Sequence, residues 1–174
     1  MQYEVLFVSQ TGNTEKLATA IFEAIPDRDK EIQRLGRNTP LDLAETYFIG
    51  FWANHGTCSF EVLDYLSELH GKNIALFGTC GMGNDPLYYE RIEKQVSAFI
   101  PDDNLYLGAF LCQGKMPMQI RNKYQELLDH GSHDGLARHM LRNFDAALLH
   151  PNEEDYALAG KFVEEVMLKI GAYT

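Results

Sequence analysis

The chain has 174 residues, 45% hydrophobic and 23% charged, which suits one domain around one core. Its formal net charge of −10 disfavours nucleic acid and anionic membrane as partners, because no basic stripe offsets phosphates. No apolar run reaches the length of a membrane span, and the N-terminus enters a strand without a signal-peptide pattern.

In chain order, Tyr3 to Val8 is short, β-branched and aromatic, and reads as a buried strand. From Thr14 the apolar spacing changes to Leu17, Ala18, Ile21, Phe22 and Ile25, the period of a helix. Glu31 to Leu35 is a weak edge-strand candidate, and Tyr47 to Phe51 is a third, strongly apolar strand. A helix is expected from Ser59 to Leu69, with Phe60, Leu63, Leu66 and Leu69 on one side. Asn73 to Phe77 is the fourth strand, followed by a loop from Gly78 to Pro86. The next helix runs from Leu87 to Ile100 with Ile92, Val96 and Phe99, and Leu105 to Leu111 is the fifth strand. Met118 to His130 and Leu136 to Leu149 both read as helices, joined by a turn from His130 to Gly135. Asn152 is placed to cap a final helix that runs to Ile170, with acids in its first turn.

Strands alternating with helices indicate an α/β fold with a parallel sheet covered on both faces. A doubly wound five-stranded sheet of order 2-1-3-4-5 is expected, with an extra helical segment after strand five. In that arrangement ligands bind at the carboxyl ends of the strands, beside the switch point.

Ser9-Gln10-Thr11-Gly12-Asn13-Thr14 fills the turn between the first strand and the first helix. Backbone N–H groups and the positive end of the helix dipole converge there, in a space that attracts a phosphate dianion. Hydroxyls of Ser9, Thr11 and Thr14 would add donors, and Gly12 would let the backbone approach. No lysine sits inside the loop, which excludes a Walker A motif, and its single glycine excludes the three-glycine dinucleotide fingerprint. A plain Asn/Gly turn with Thr14 as N-cap is the bland alternative.

Two more loops open on the same end. Trp52, the single tryptophan, heads Trp52-Ala53-Asn54-His55-Gly56-Thr57 and serves either to stack on an aromatic ligand or to cap the core. His55 is of the residue type that changes charge near neutrality. Gly56 would allow a peptide to reorient or simply make a turn. Gly78-Thr79-Cys80-Gly81-Met82-Gly83 is rich enough in glycine for its amides to reach a ring edge. Tyr88 and Tyr89 follow, to cover a ligand or to be partly buried. The three cysteines, Cys58, Cys80 and Cys112, lack metal-ligand spacing and read as free packing thiols in a reducing cytoplasm.

Together S-Q-T-G-N-T, G-F-W-A-N-H-G-T and L-F-G-T-C-G-M-G resemble the flavodoxin family. C-Q-G-K-M-P (Cys112 to Pro117) and H-P-N-E-E-D (His150 to Asp155) are similar to a bacterial subgroup of single-domain flavodoxin-like proteins, those with a G-F-W-x-x-x-G-T loop. The resemblance implies a flavodoxin-like fold over residues 1–174, noncovalent FMN, and electron transfer between redox partner proteins; a cytoplasmic monomer is expected. It places Ser9, Thr11, Gly12, Asn13 and Thr14 at the phosphate, and Gln10, within the same loop, is a further candidate. Trp52 matches the inner stacking aromatic, while Ala53, Asn54, Gly56, Thr57 and Gly78 to Gly83 are candidates around the ring from their loop positions. The second ring loop lacks the G-D-S-x-Y pattern of well-known short flavodoxins, so the resemblance names no outer stacking residue.

Three functions fit this pattern: an electron carrier, an NAD(P)H-dependent FMN or quinone reductase on the same fold, and an accessory electron-donor subunit of a dedicated reductase. No second nucleotide motif is visible, which favours the carrier. Lys115 to Arg121 is a candidate docking surface.

Overall fold

Five segments pair into one parallel sheet in the computed structural model, which describes residues 1–83, 85–131 and 134–173. They are β1 (Tyr3–Phe7), β2 (Lys30–Arg34), β3 (Thr46–Trp52), β4 (Asn73–Cys80) and β5 (Leu105–Gln113). The spatial order is β2-β1-β3-β4-β5, as expected. β1 and nearly all of β3 and β4 are buried, which is why they read as mostly apolar runs rather than alternating ones. The edge strand β2 is half exposed, and its pattern was correspondingly weak.

Two core clusters sandwich the sheet. α1 (Asn13–Ala24) and α6 (Glu153–Tyr173) share one face, where Leu17, Ile21, Val163 and Val166 pack on Val5, Phe48 and Phe77. α2 (Phe60–Ser67) and α3 (Pro86–Ser97) cover the other with Val62, Leu66, Ile92 and Val96. Asn152 caps α6 as expected, its Oδ1 accepting from the amides of Glu154 at 3.0 Å and Asp155 at 3.3 Å.

Several element limits differ from the sequence expectation for definable reasons. β4 continues through Gly78, Thr79 and Cys80 because Gly78 and Thr79 pair with Phe51 and Trp52 on one side and all three pair with β5 on the other. Gly78 is therefore a sheet residue: an added Cβ would stand 2.9 Å from the Phe51 carbonyl oxygen. Phe60 is 82% exposed at the start of α2, and Tyr65 instead fills the core. Phe99 lies beyond the end of α3 and is exposed.

Between β5 and α6 stands a helical hairpin of α4 (Met118–Asp129) and α5 (Asp134–Ala147). α5 buries Ala137, Leu141, Phe144 and Ala147, whereas α4 buries no residue fully. In the expected turn between them, Ser132 and His133 lie outside the described residues, and Asp134 and Gly135 already belong to α5.

Candidate cofactor site

The parallel register brings the carboxyl ends of β1, β3 and β4 level, with Phe7 beside Gly50 and Trp52 beside Thr79. Above them lies a cavity of about 520 Å³, within the range of cofactor sites. Gln10, Thr11 and Asn13 line one part of it, and Trp52, Ala53, Asn54 and His55 another. Thr79, Cys80, Gly81 and Met82 supply the end of β4, and Tyr88 comes from α3. Ser9, Gly12, Thr14, Gly56, Thr57, Gly78 and Gly83 do not line it. Asn84, in the second ring loop, lies outside the described residues.

The loop after β1 has the donor chemistry of a phosphate cradle. Gly12 takes a left-handed φ of 89° at the helix N-cap, a conformation that costs a residue with a Cβ. The first helical bond runs from the Lys16 amide to the Gly12 carbonyl oxygen at 3.1 Å, so the amides of Asn13, Thr14 and Glu15 precede the helical ladder. Protein donors already occupy the hydroxyl oxygens: Gly12 N–H donates to Ser9 Oγ at 3.1 Å and Asn13 Nδ2 to Thr11 Oγ1 at 3.1 Å. Each of those hydroxyls keeps its own proton, and of the two Thr11 lines the cavity. Thr14 Oγ1 pairs with Thr79 Oγ1 at 2.9 Å, buried. A phosphate fits this set, and an aromatic ring fits the apolar part of the cavity between Trp52, Met82 and Tyr88.

The β3 loop closes into a tight turn. Asn54 and Thr57 exchange backbone hydrogen bonds of 2.8 and 3.1 Å, with His55 and Gly56 between them at φ 52° and 83°. Two positive φ values in succession match a type I′ turn, so Gly56 here serves the turn.

Cys80 lines the cavity, but burial pushes its thiol up to about 12, so it is held protonated. Burial likewise raises Cys58 to about 12 and also lifts Cys112. Tyr88 lines the cavity while Tyr89 does not. Burial raises the Tyr88 phenol as well.

Part of this wall comes from the Gly114 to His150 segment, which the sequence left open between shielding a ligand, binding a partner and packing. Gly114, Lys115, Met116 and Pro117, with Ile120 and Tyr124 of α4, complete the lining. Asn143 of α5 ties the hairpin to the ring loop. Its Oδ1 accepts from Gly83 N–H at 3.2 Å and Gln113 Nε2 at 3.0 Å, and its Nδ2 donates to the Gly81 carbonyl at 2.9 Å. The motif C-Q-G-K-M-P was the available signal for the first group, and Asn143 had none.

A larger depression of about 820 Å³ lies between the chain after β2 and α2. Its wall carries Glu61, Asp64 and Glu68 against one Arg37, which repels an anionic ligand, and none of the expected site residues reaches it.

Residues 4–164 match the family described as Flavodoxin domain. The chain is 34% identical over 175 residues to the flavodoxin-like domain-containing protein BilS of Clostridioides difficile (strain CD3), covering 97% of this chain and 98% of that protein. In three dimensions it is similar to the Streptococcus pneumonia TIGR4 flavodoxin, with TM-score 0.57, 17% identity, and 97% and 99% of the two chains covered. It is also similar to a flavoprotein solved in complex with FMN from Lactobacillus acidophilus NCFM, with TM-score 0.50, 14% identity, and 64% and 93% covered. At these identities the two solved structures speak for the fold alone.

Proposed function

The chain belongs to the flavodoxin family, whose cofactor FMN it binds, and from that premise we propose that it carries electrons between redox partner proteins. The observation that carries this reading is the composition of the cavity wall. It joins a phosphate cradle at Thr11 and Asn13 to an aromatic slot at Trp52 and Tyr88. No carboxylate lines it among the described residues, and its thiol at Cys80 is held protonated. Such a wall binds and tunes a cofactor and offers no activated nucleophile.

When bound, FMN supplies the electron-accepting ring. The protein's residues do the rest. Amides and hydroxyls of the first loop would hold the phosphate, Trp52 would stack on the ring, and Gly81 and Met82 would offer it backbone amides. Met116, Pro117, Ile120 and Tyr124 close the cavity from the hairpin side and limit water.

A dedicated reductase as the acceptor is a narrower form of this reading. Among the described residues, no helix is long and apolar enough to cross a membrane.

The test is to purify the protein, release its flavin with mild acid and identify it, then measure steady-state NAD(P)H oxidation. Stoichiometric FMN with negligible oxidation is expected of a carrier. FAD in its place overturns the cofactor assignment, and rapid NAD(P)H turnover by the protein alone overturns the carrier role in favour of a reductase.

A further inference from the structure

We infer that Lys115 provides the positive charge facing the phosphate of the bound cofactor, brought to the first loop from the far end of β5. This rests on the FMN reading above and goes beyond it by assigning a specificity residue outside the family's loop. No lysine lies within Ser9 to Thr14, and the fold supplies one from about a hundred residues downstream.

The backbone at Lys115 is seated against that loop. Asn13 Nδ2 donates to the Lys115 carbonyl oxygen at 2.9 Å, and the same nitrogen donates to Thr11 Oγ1 at 3.1 Å. On the other side, Lys115 N–H donates to the His150 carbonyl oxygen at 3.1 Å, and Gly114 N–H to that of Cys80 at 2.9 Å. Gly114 is needed for this approach: a Cβ there would stand 2.9 Å from Asn13 Nδ2 and 3.2 Å from Thr79 Cβ. Two peptide groups of the β5–α4 connection are thus wedged between the phosphate loop and the end of β4.

Charge supports the same assignment. In a chain of net charge −10, the described residues lining this cavity include no Asp or Glu. Lys115 and His55 are the only side chains there that carry positive charge when protonated. The cation at Lys115 is also unspent. Arg34, the basic residue donating to the Ser9 carbonyl, is paired with Glu15 at 2.9 Å, and Arg121 is paired with Asp145 at 3.2 Å. The Lys115 ammonium has no hydrogen bond or ion pair to any described residue. A lysine is a compact point charge on a flexible stem, so it serves a phosphate without fixed bidentate geometry.

The experiment titrates apoprotein with FMN and with riboflavin, at low and high ionic strength, for wild type, Lys115→Gln and Lys115→Arg, with thermal melts as folding controls. Because Lys115 is exposed, its interaction is discounted to about 1 kcal/mol, so Lys115→Gln is expected to weaken FMN about fivefold at low salt. Riboflavin affinity should change less than about twofold, Lys115→Arg should restore FMN binding, and the Gln variant should show a flatter salt dependence. Unchanged FMN affinity in Lys115→Gln overturns the inference while leaving the cofactor assignment intact. Equal losses for both ligands overturn it too, and would assign the charge to the ring. A wild-type protein that takes up neither flavin overturns the cofactor reading and this inference with it.

Discussion

The hydroxyls of Thr14 and Thr79 stand 2.9 Å apart, 65 residues apart in sequence, and join the first turn of α1 to the end of β4. Both side chains are almost fully buried. Thr14→Val keeps the shape and leaves Thr79 with an unpartnered buried hydroxyl, which should cost about 1–3 kcal/mol of stability. Replacing both by valine should cost less than the sum of the single changes, because no orphan remains. Urea unfolding of the four proteins measures this, and strict additivity would deny the coupling.

Thr11, unlike Thr14, lines the cavity, and its hydroxyl proton is free for a ligand. Thr11→Ala should weaken FMN by an amount on the order of 1.5–3 kcal/mol, the range of a bond to a charged group. Riboflavin, which lacks the phosphate, should lose far less. Fluorescence titration with both ligands separates a phosphate contact from a general loss of fit.

Trp52 ends β3 at the cavity wall and is the single tryptophan. Its emission should be strongly quenched as apoprotein takes up FMN, and the effect needs no correction for other indoles. An unchanged signal would place the ring away from β3.

The Asn143 side chain has four partners on two other segments: Gly83 N–H, the Gly81 carbonyl, Met82 Sδ and Gln113 Nε2. Gln113 is buried, and its Oε1 already lacks a partner. Asn143→Ala would strip further bonds from this cluster, at a cost of about 1–3 kcal/mol. Flavin affinity should fall with it, because Gly81 and Met82 of the loosened loop line the cavity. Hydrogen exchange at Gly81 to Gly83 checks the cause: protection should drop there in the variant and stay unchanged in β1.

Glu4 is fully buried in β1, with Gln33 Nε2 donating to Oε1 at 2.8 Å and no partner at Oε2. Burial raises its carboxyl above the ordinary 4.5, which outweighs the Gln33 hydrogen bond. The folded state therefore favours the protonated form. That contribution is complete below the unfolded value and is lost as pH rises through the folded one. Glu4→Gln should accordingly be more stable than wild type near neutral pH, and the advantage should shrink as pH falls through the folded value towards 4.5. Paired denaturation curves across that range test it, and an advantage independent of pH would remove the carboxyl from the account.

Local chemistry determined much of this protein. Mostly apolar runs in β1, β3 and β4, with Glu4 the one charged residue among them, follow from burial on both faces of a parallel sheet. A hydroxyl-rich turn between a strand and a helix offers phosphate-cradle chemistry wherever the two elements form, because its amides come from adjacent residues. Trp52 was placed by the same reasoning, at the end of a strand whose neighbours were already evident. The extent of β4 was not, since Gly78 lacks any strand propensity and is held by pairing with Phe51 and β5. Nor could sequence place Phe60, which a helical period assigns to the core, while the last turn before α2 leaves it in solvent. Only the tertiary structure decided the remaining wall of the cavity. Lys115 reaches Asn13, and Asn143 reaches Gly81 and Gly83, across separations of 102, 62 and 60 residues. No periodicity carries such information. These contacts exist because the β5–α4 connection turns back over the end of β4, and its close approach is permitted by a glycine whose neighbours are visible only once the chain has folded.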